Sequence, residues 1–158
     1  TVTTHFGDSD SATHTLLIQA NGQILVSGYT QVGSLFVPVL ARYDSNGSLD
    51  AAFGTGGKVI GSPEMSGFFM TAALQADGRI LMAGNSIDNS PGFLLTRFNG
   101  DGSIDTTFGV HGQVVTHLGF DRNSVAAIGL YSDGKILAAG SGAWIGGDFN
   151  LALARYWP

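Results

Sequence analysis

The chain is built from short apolar runs, each closed by a polar, glycine-rich turn. The run THTLLIQ, residues 13–19, is β-branched and apolar, as a half-buried strand should be. It leads into Asn21-Gly22, and the same kind of dipeptide returns as Asp77-Gly78 and Asp133-Gly134. These pairs predict two-residue hairpins, because both central positions of a type I′ turn need positive φ. An Ile-Leu run follows each turn as the returning strand. A third strand ends in Arg42-Tyr43, Arg97-Phe98 or Arg155-Tyr156, and a fourth is the valine-rich KVIG (58–61) or QVVTHLG (113–119).

The runs repeat. NGQILVSG, DGRILMAG and DGKILAAG start at positions 21, 77 and 133, two steps of 56 residues. The connector NGSLDAAFGTGGKV (46–59) is matched by DGSIDTTFGVHGQV (101–114). Four short antiparallel strands per unit of about 55 residues suit propeller blades, and fit the shorter coils of a β-solenoid less well. The expectation is an all-β, β-propeller-like domain over residues 1–158, with three four-stranded blade repeats at about 1–58, 59–113 and 114–158. Small residues on each first strand, such as Ala72, Ala73, Ala126, Ala127 and Gly129, predict crowding against a central axis.

Composition narrows the partners. A hydrophobic share of 44% in 158 residues can bury a sizeable core, and 24 glycines against 4 prolines fit many tight turns. A formal charge of −5 with only 7 scattered Lys and Arg argues against nucleic acid or an anionic membrane surface. No apolar run approaches the roughly 20 residues of a membrane span. With no cysteine, disulfides, thiolate metal sites and Cys nucleophiles are excluded.

The stretches DGKILAAG, LALARY and DGSIDTTFGVHGQVVT resemble the delta-sixty repeats, a bacterial β-propeller-type family of poorly defined function. The likeness covers nearly the whole chain. It implies a propeller fold and, since such repeats often occur in large exported proteins, an extracellular or cell-surface location. It transfers no catalytic residue, because the shared motif consists of turn and core positions.

The chain opens with VTTHFG (2–7), a copy of VVTHLG (114–119), while no third connector follows the last unit. The two ends are therefore complementary, and strand 2–7 is expected to close a last blade. Three blades are fewer than the roughly four of small propellers. Two copies exchanging this strand would make a six-bladed homodimeric ring.

Chemistry is expected at the variable loops. Strand order puts the near-constant turns and connectors at one end of the blades and the variable loops at the other, where function more often resides. That end gathers Asp8, Asp10, Glu64, Asp88, Asp121 and Asp148 against Arg122, together with Tyr29, Phe36 and Trp144. The candidate ligand-binding residues are Tyr29, Asp88, Asp121, Arg122, Trp144 and Asp148. Aromatic faces beside carboxylates suit a glycan, and acidic loops can also hold calcium through oxygen ligands. The plainer reading has the acids solvated and the aromatics packed between blades. No GxSxG, HExxH or P-loop motif occurs, and no catalytic residue is assigned. A structural or adhesive binding module that assembles with itself is the leading expectation, a lectin-like propeller the alternative, and a glycoside-processing enzyme third. Arg42, Arg97 and Arg155 recur beside an aromatic residue and are expected to stack on a ring or pair with Asp50 and Asp105.

Overall fold

A computed structural model describes residues 1–7, 10–87 and 91–158. Among these residues eleven strands run in chain order, with a short 3-10 turn at Pro63–Met65. The first sheet takes β1 (Ser11–Ile18), β2 (Ile24–Val32), β3 (Leu35–Tyr43) and β4 (Lys58–Ile60), in that order. The second takes β5 (Gly67–Leu74), β6 (Ile80–Ser86), β7 (Phe93–Phe98) and β8 (Gln113–Thr116). The third holds three strands, β9 (Arg122–Leu130), β10 (Ile136–Ala143) and β11 (Asn150–Tyr156). Every pairing within these sheets is antiparallel. The protein is thus all-β, with three propeller-like blades.

The three hairpins differ from the expected type I′ turns. In the first, Gln19 N–H bonds Gln23 O at 2.8 Å and Gly22 N–H bonds Gln19 O at 2.9 Å. Gly22, Gly78 and Gly134 have φ of 84°, 86° and 85°, whereas Asn21, Asp77 and Asp133 are not in the positive-φ region. This is a three-residue loop, a type I turn completed by a left-handed glycine. The acidic or amide residue instead accepts a bond from the backbone two residues on, as Asn21 Oδ1 does from Gln23 N–H at 3.1 Å. Asp77 and Asp133 accept in the same way from Arg79 and Lys135.

Each blade also carries one bulge on its first strand, between Thr13 and Thr15, between Phe69 and Thr71, and opposite Ala139/Gly140. The facing residue is Gly28, Gly84 or Gly140, where a Cβ would run into the carbonyl of Ala12, Phe68 or Ser124. The strands approach too closely there for any side chain.

The core lies between the sheets as two layers. Leu25, Leu40 and Phe53 of the first blade meet Phe69, Met82, Leu94 and Phe98 of the second. The other face of the second blade, with Leu81, Phe93, Leu95 and Phe108, meets Val125, Ile136 and Ala138 of the third. The central sheet is therefore buried on both faces, which explains its near-continuous apolar β6 and β7. The outermost faces are open. Of the small first-strand residues, Ala72 is buried in the first layer, while Ala126, Ala127 and Gly129 are exposed on β9.

Residues 2–7 form no strand. They lie beside the first sheet, where Tyr43 Oη donates to Thr4 Oγ1 at 2.6 Å and Lys58 Nζ to His5 O at 3.1 Å. Among the described residues the third sheet has three strands rather than the expected four.

Candidate functional site

The near-constant end is occupied by structural contacts. Arg42 Nε donates to Asp50 Oδ2 at 2.7 Å with its guanidinium 4.5 Å from the Phe53 ring centroid. Arg97 repeats this with Asp105 at 2.8 Å and Phe108 at 4.4 Å. Both arginines therefore combine the stacking and the pairing expected of them. Connector carboxylates are further engaged by their own backbone: Asp50 Oδ1 accepts from Ala52 N–H at 3.0 Å and Asp105 Oδ1 from Thr107 N–H at 3.0 Å. These bonds hold both carboxyls below the usual range, led by the Ala52 amide for Asp50 and the Thr107 hydroxyl for Asp105. Asp101 is lowered by the Ser103 hydroxyl and amide, and Asp133 by Lys135. A cleft of about 600 Å³ opens between the two connectors, lined by Thr55, Lys58, Val59, Asp101 and Ser103 among others.

The variable end is different. On the third blade Trp144 is 56% exposed, and its ring meets Phe120 at 4.7 Å and 62°. Gly142 makes this contact possible, because a Cβ there would collide with the Phe120 ring. Asp121 Oδ2 accepts from Ile145 N–H at 2.7 Å, which ties the loop before β9 to the loop after β10. Asn150 Nδ2 donates to Asp148 O at 3.0 Å, and Asp148 is exposed. Ile145 and Phe149 are 78% and 60% exposed, and Arg122 is exposed at the start of β9. Trp144, Asp121, Arg122 and Asp148 thus belong to one loop region of the third blade.

Tyr29 does not join them. Its ring stacks on His14 at 5.3 Å and meets Phe36 and Phe68 edge-on at 5.4 and 5.5 Å. It is half-buried in an aromatic cluster that bridges the first and second sheets, which is the packed-aromatic reading of that residue. Asp88 lies outside the described residues. Phe120 and Phe149 escaped the sequence reading, since neither is set apart by a motif. Their signal was only that aromatics flank a glycine-rich loop. Among the described residues no group of three His, Cys, Asp or Glu gathers that could hold a metal ion. No helix among them is long and apolar enough to cross a membrane.

Three quasi-identical antiparallel sheets, stacked face to face and joined by paired connectors, define a β-propeller-type repeat domain. A family model described as "Domain of unknown function (DUF5122) beta-propeller" matches residues 19–53, 75–108 and 132–158, more than half of the chain. The chain belongs to that family. Among curated proteins nothing matches it.

Proposed function

We propose that the chain is a non-catalytic structural and adhesive binding module, which assembles with copies of itself and offers the variable-loop end of its third blade to a ligand outside the cell. The observation that carries the ligand half is Trp144, held edge-on by Phe120 with more than half of its surface in water. Ile145 and Phe149 are exposed on the same loop, so Trp144 is part of a group of exposed apolar side chains of the kind that marks an interaction site. An exposed indole next to Asp121 and Asp148 favours a glycan, whose pyranose face stacks on the ring while its hydroxyls bond the carboxylates. A glycan array probed with the wild-type chain and with Trp144→Ala tests this. Binding that disappears in the variant while the far-UV spectrum is unchanged supports the reading. Binding that Trp144→Ala leaves intact refutes this site, and a chain that binds no glycan refutes the carbohydrate class.

A further inference from the structure

Asparagine followed by glycine is the dipeptide in which the backbone most readily attacks a side chain, because glycine places no Cβ beside the attacking nitrogen. The chain has three such pairs, Asn21-Gly22, Asn46-Gly47 and Asn99-Gly100. In each case a repeat-equivalent position already carries the acid that loss of the amide would give: Asp77 and Asp133 for Asn21, Asp101 for Asn46, and Asp44 for Asn99. The pairs are alike in sequence, and their turns set them apart.

Gly22 and Gly47 close their turns. Their N–H groups donate to Gln19 O and Asp44 O, both at 2.9 Å, as the fourth residue of a β-turn does. The side chains before them are held as well, since Asn21 Oδ1 accepts from Gln23 N–H at 3.1 Å and Asn46 Oδ1 from Ser48 N–H at 2.9 Å. Asn99 instead opens its turn. Its carbonyl accepts from Gly102 N–H at 3.0 Å, which makes Gly100 the second residue. The second residue of a β-turn donates no turn bond, and among the described residues Gly100 N–H meets no acceptor. Gly100 is exposed, and the Asn99 carboxamide bonds through its nitrogen, to Ser103 Oγ at 2.9 Å and Ile104 O at 3.4 Å.

We propose that Asn99 is a site of spontaneous deamidation, and that the change acts on the contact between the first two blades. The Gly100 amide gives its proton to hydroxide and its nitrogen bonds to Asn99 Cγ. The Cγ–Nδ2 bond breaks and ammonia leaves, which closes a succinimide. Water then opens the ring at Cγ, which gives Asp, or at the main-chain carbonyl, which gives isoaspartate linked through Cγ. The two products differ in what they do to the turn. In the first blade Gln23 Nε2 donates to Asp44 Oδ1 at 3.3 Å and to Asp50 Oδ2 at 2.8 Å. Arg79 is the counterpart of Gln23 and pairs with Asp105, the counterpart of Asp50, at 3.3 Å. An aspartate at position 99 therefore meets a cation and is accommodated. Isoaspartate adds a methylene to the main chain within the turn that Asn99 N–H closes on Ser103 O at 2.8 Å. It also shifts Gly100 O, which accepts from Arg42 Nη1 of the first blade at 2.6 Å.

The site is independent of the ligand and the assembly proposed above. Peptide mapping by mass spectrometry, on the whole chain incubated at mildly alkaline pH, measures ammonia loss at each asparagine. Conversion at Asn99 should run roughly fivefold faster than at Asn21 or Asn46, the factor that one backbone hydrogen bond is worth. Gly100→Ala, at a position whose φ is not positive, should slow conversion at Asn99 and leave the other two unchanged. Aged wild type, carrying isoaspartate at position 99, should unfold at a lower temperature than fresh protein, whereas Asn99→Asp should match fresh wild type. Conversion at Asn99 no faster than at Asn21 and Asn46 overturns the site. Conversion to Asp alone, isoaspartate with an unchanged unfolding temperature, or an equal loss in Asn99→Asp aged alongside overturns the effect on the contact between blades.

Discussion

Replacing Asp105 by alanine should be among the most damaging single changes at the near-constant end. Its carboxylate accepts from Arg97 Nε at 2.8 Å, from Thr107 N–H at 3.0 Å and from Thr107 Oγ1 at 2.6 Å, and forms an ion pair with Arg79 Nε at 3.3 Å. The side chains of Arg97 and Asp105 are each only 5% exposed. Arg97 Nη1 is buried without a partner even in the wild type. Removing Asp105 therefore takes the ion-pair partner from a buried guanidinium that still lies over the Phe108 ring. Breaking a buried pair in this way costs about 3–5 kcal/mol. The lower end, about 3 kcal/mol, applies because Arg79 is 40% exposed and brings water close to the cluster. For a chain of this size that lowers Tm by roughly 6–12 °C. Asp77→Ala removes a pair whose side chains are 40% and 50% exposed and should cost about 1 kcal/mol or less.

Thermal and urea unfolding, followed by circular dichroism, give the comparison. The Asp105 carboxyl is held below its ordinary 3.8 by the Thr107 hydroxyl and amide and by Arg97, against the opposing effect of burial. Because the folded value is depressed, its contribution is complete above the unfolded pKa and disappears as pH falls through the folded one. Wild-type stability should therefore decline below about pH 4, and Asp105→Ala should decline less steeply there. Equal losses in Asp105→Ala and Asp77→Ala, or an unchanged acid slope, would refute the buried-pair reasoning.

Two further changes probe the backbone. His111 has φ of 53° where the equivalent residue of the first connector is Gly56, at 59°. His111→Gly should therefore stabilise by up to about 1 kcal/mol, the left-handed strain relieved less the entropy of glycine, measured as a higher urea midpoint. Gly84→Ala forces a Cβ against the Phe68 carbonyl at the bulge and should destabilise by at least about 1–3 kcal/mol, read as a lower Tm than that of Gly129→Ala, where the space around the Cβ is open and φ is not positive.

Much of this architecture is legible from residues alone, for reasons that particular positions make plain. The 56-residue step and the Ile-Leu runs locate β2, β6 and β10, because strand pairing here is local and the turns between strands are short. Arg42 and Arg97 could be assigned to Asp50 and Asp105, since each pair spans eight residues of one connector. The turn type was less accessible. An Asx-Gly dipeptide serves a type I′ turn or a type I turn with a left-handed glycine equally well, and only the closing bond between Gln19 and Gln23 distinguishes them. Tyr29 belongs to a cluster with Phe68, 39 positions away in the next blade, and nothing near it in the chain announces that contact.

The sequence by itself determined the strands, their alternation and the threefold repeat, because these depend on neighbours within a few residues. Which faces are buried was decided by the tertiary structure alone. Leu40, Leu95 and Leu153 occupy the same position in three nearly identical units, yet the first two are fully buried and the third is 66% exposed. Burial needs a second surface, and a periodic pattern carries no information about whether another sheet stands opposite. The copy at residues 2–7 follows the same rule: its composition marks it as a fourth strand, and only a sheet edge beside it can make it one.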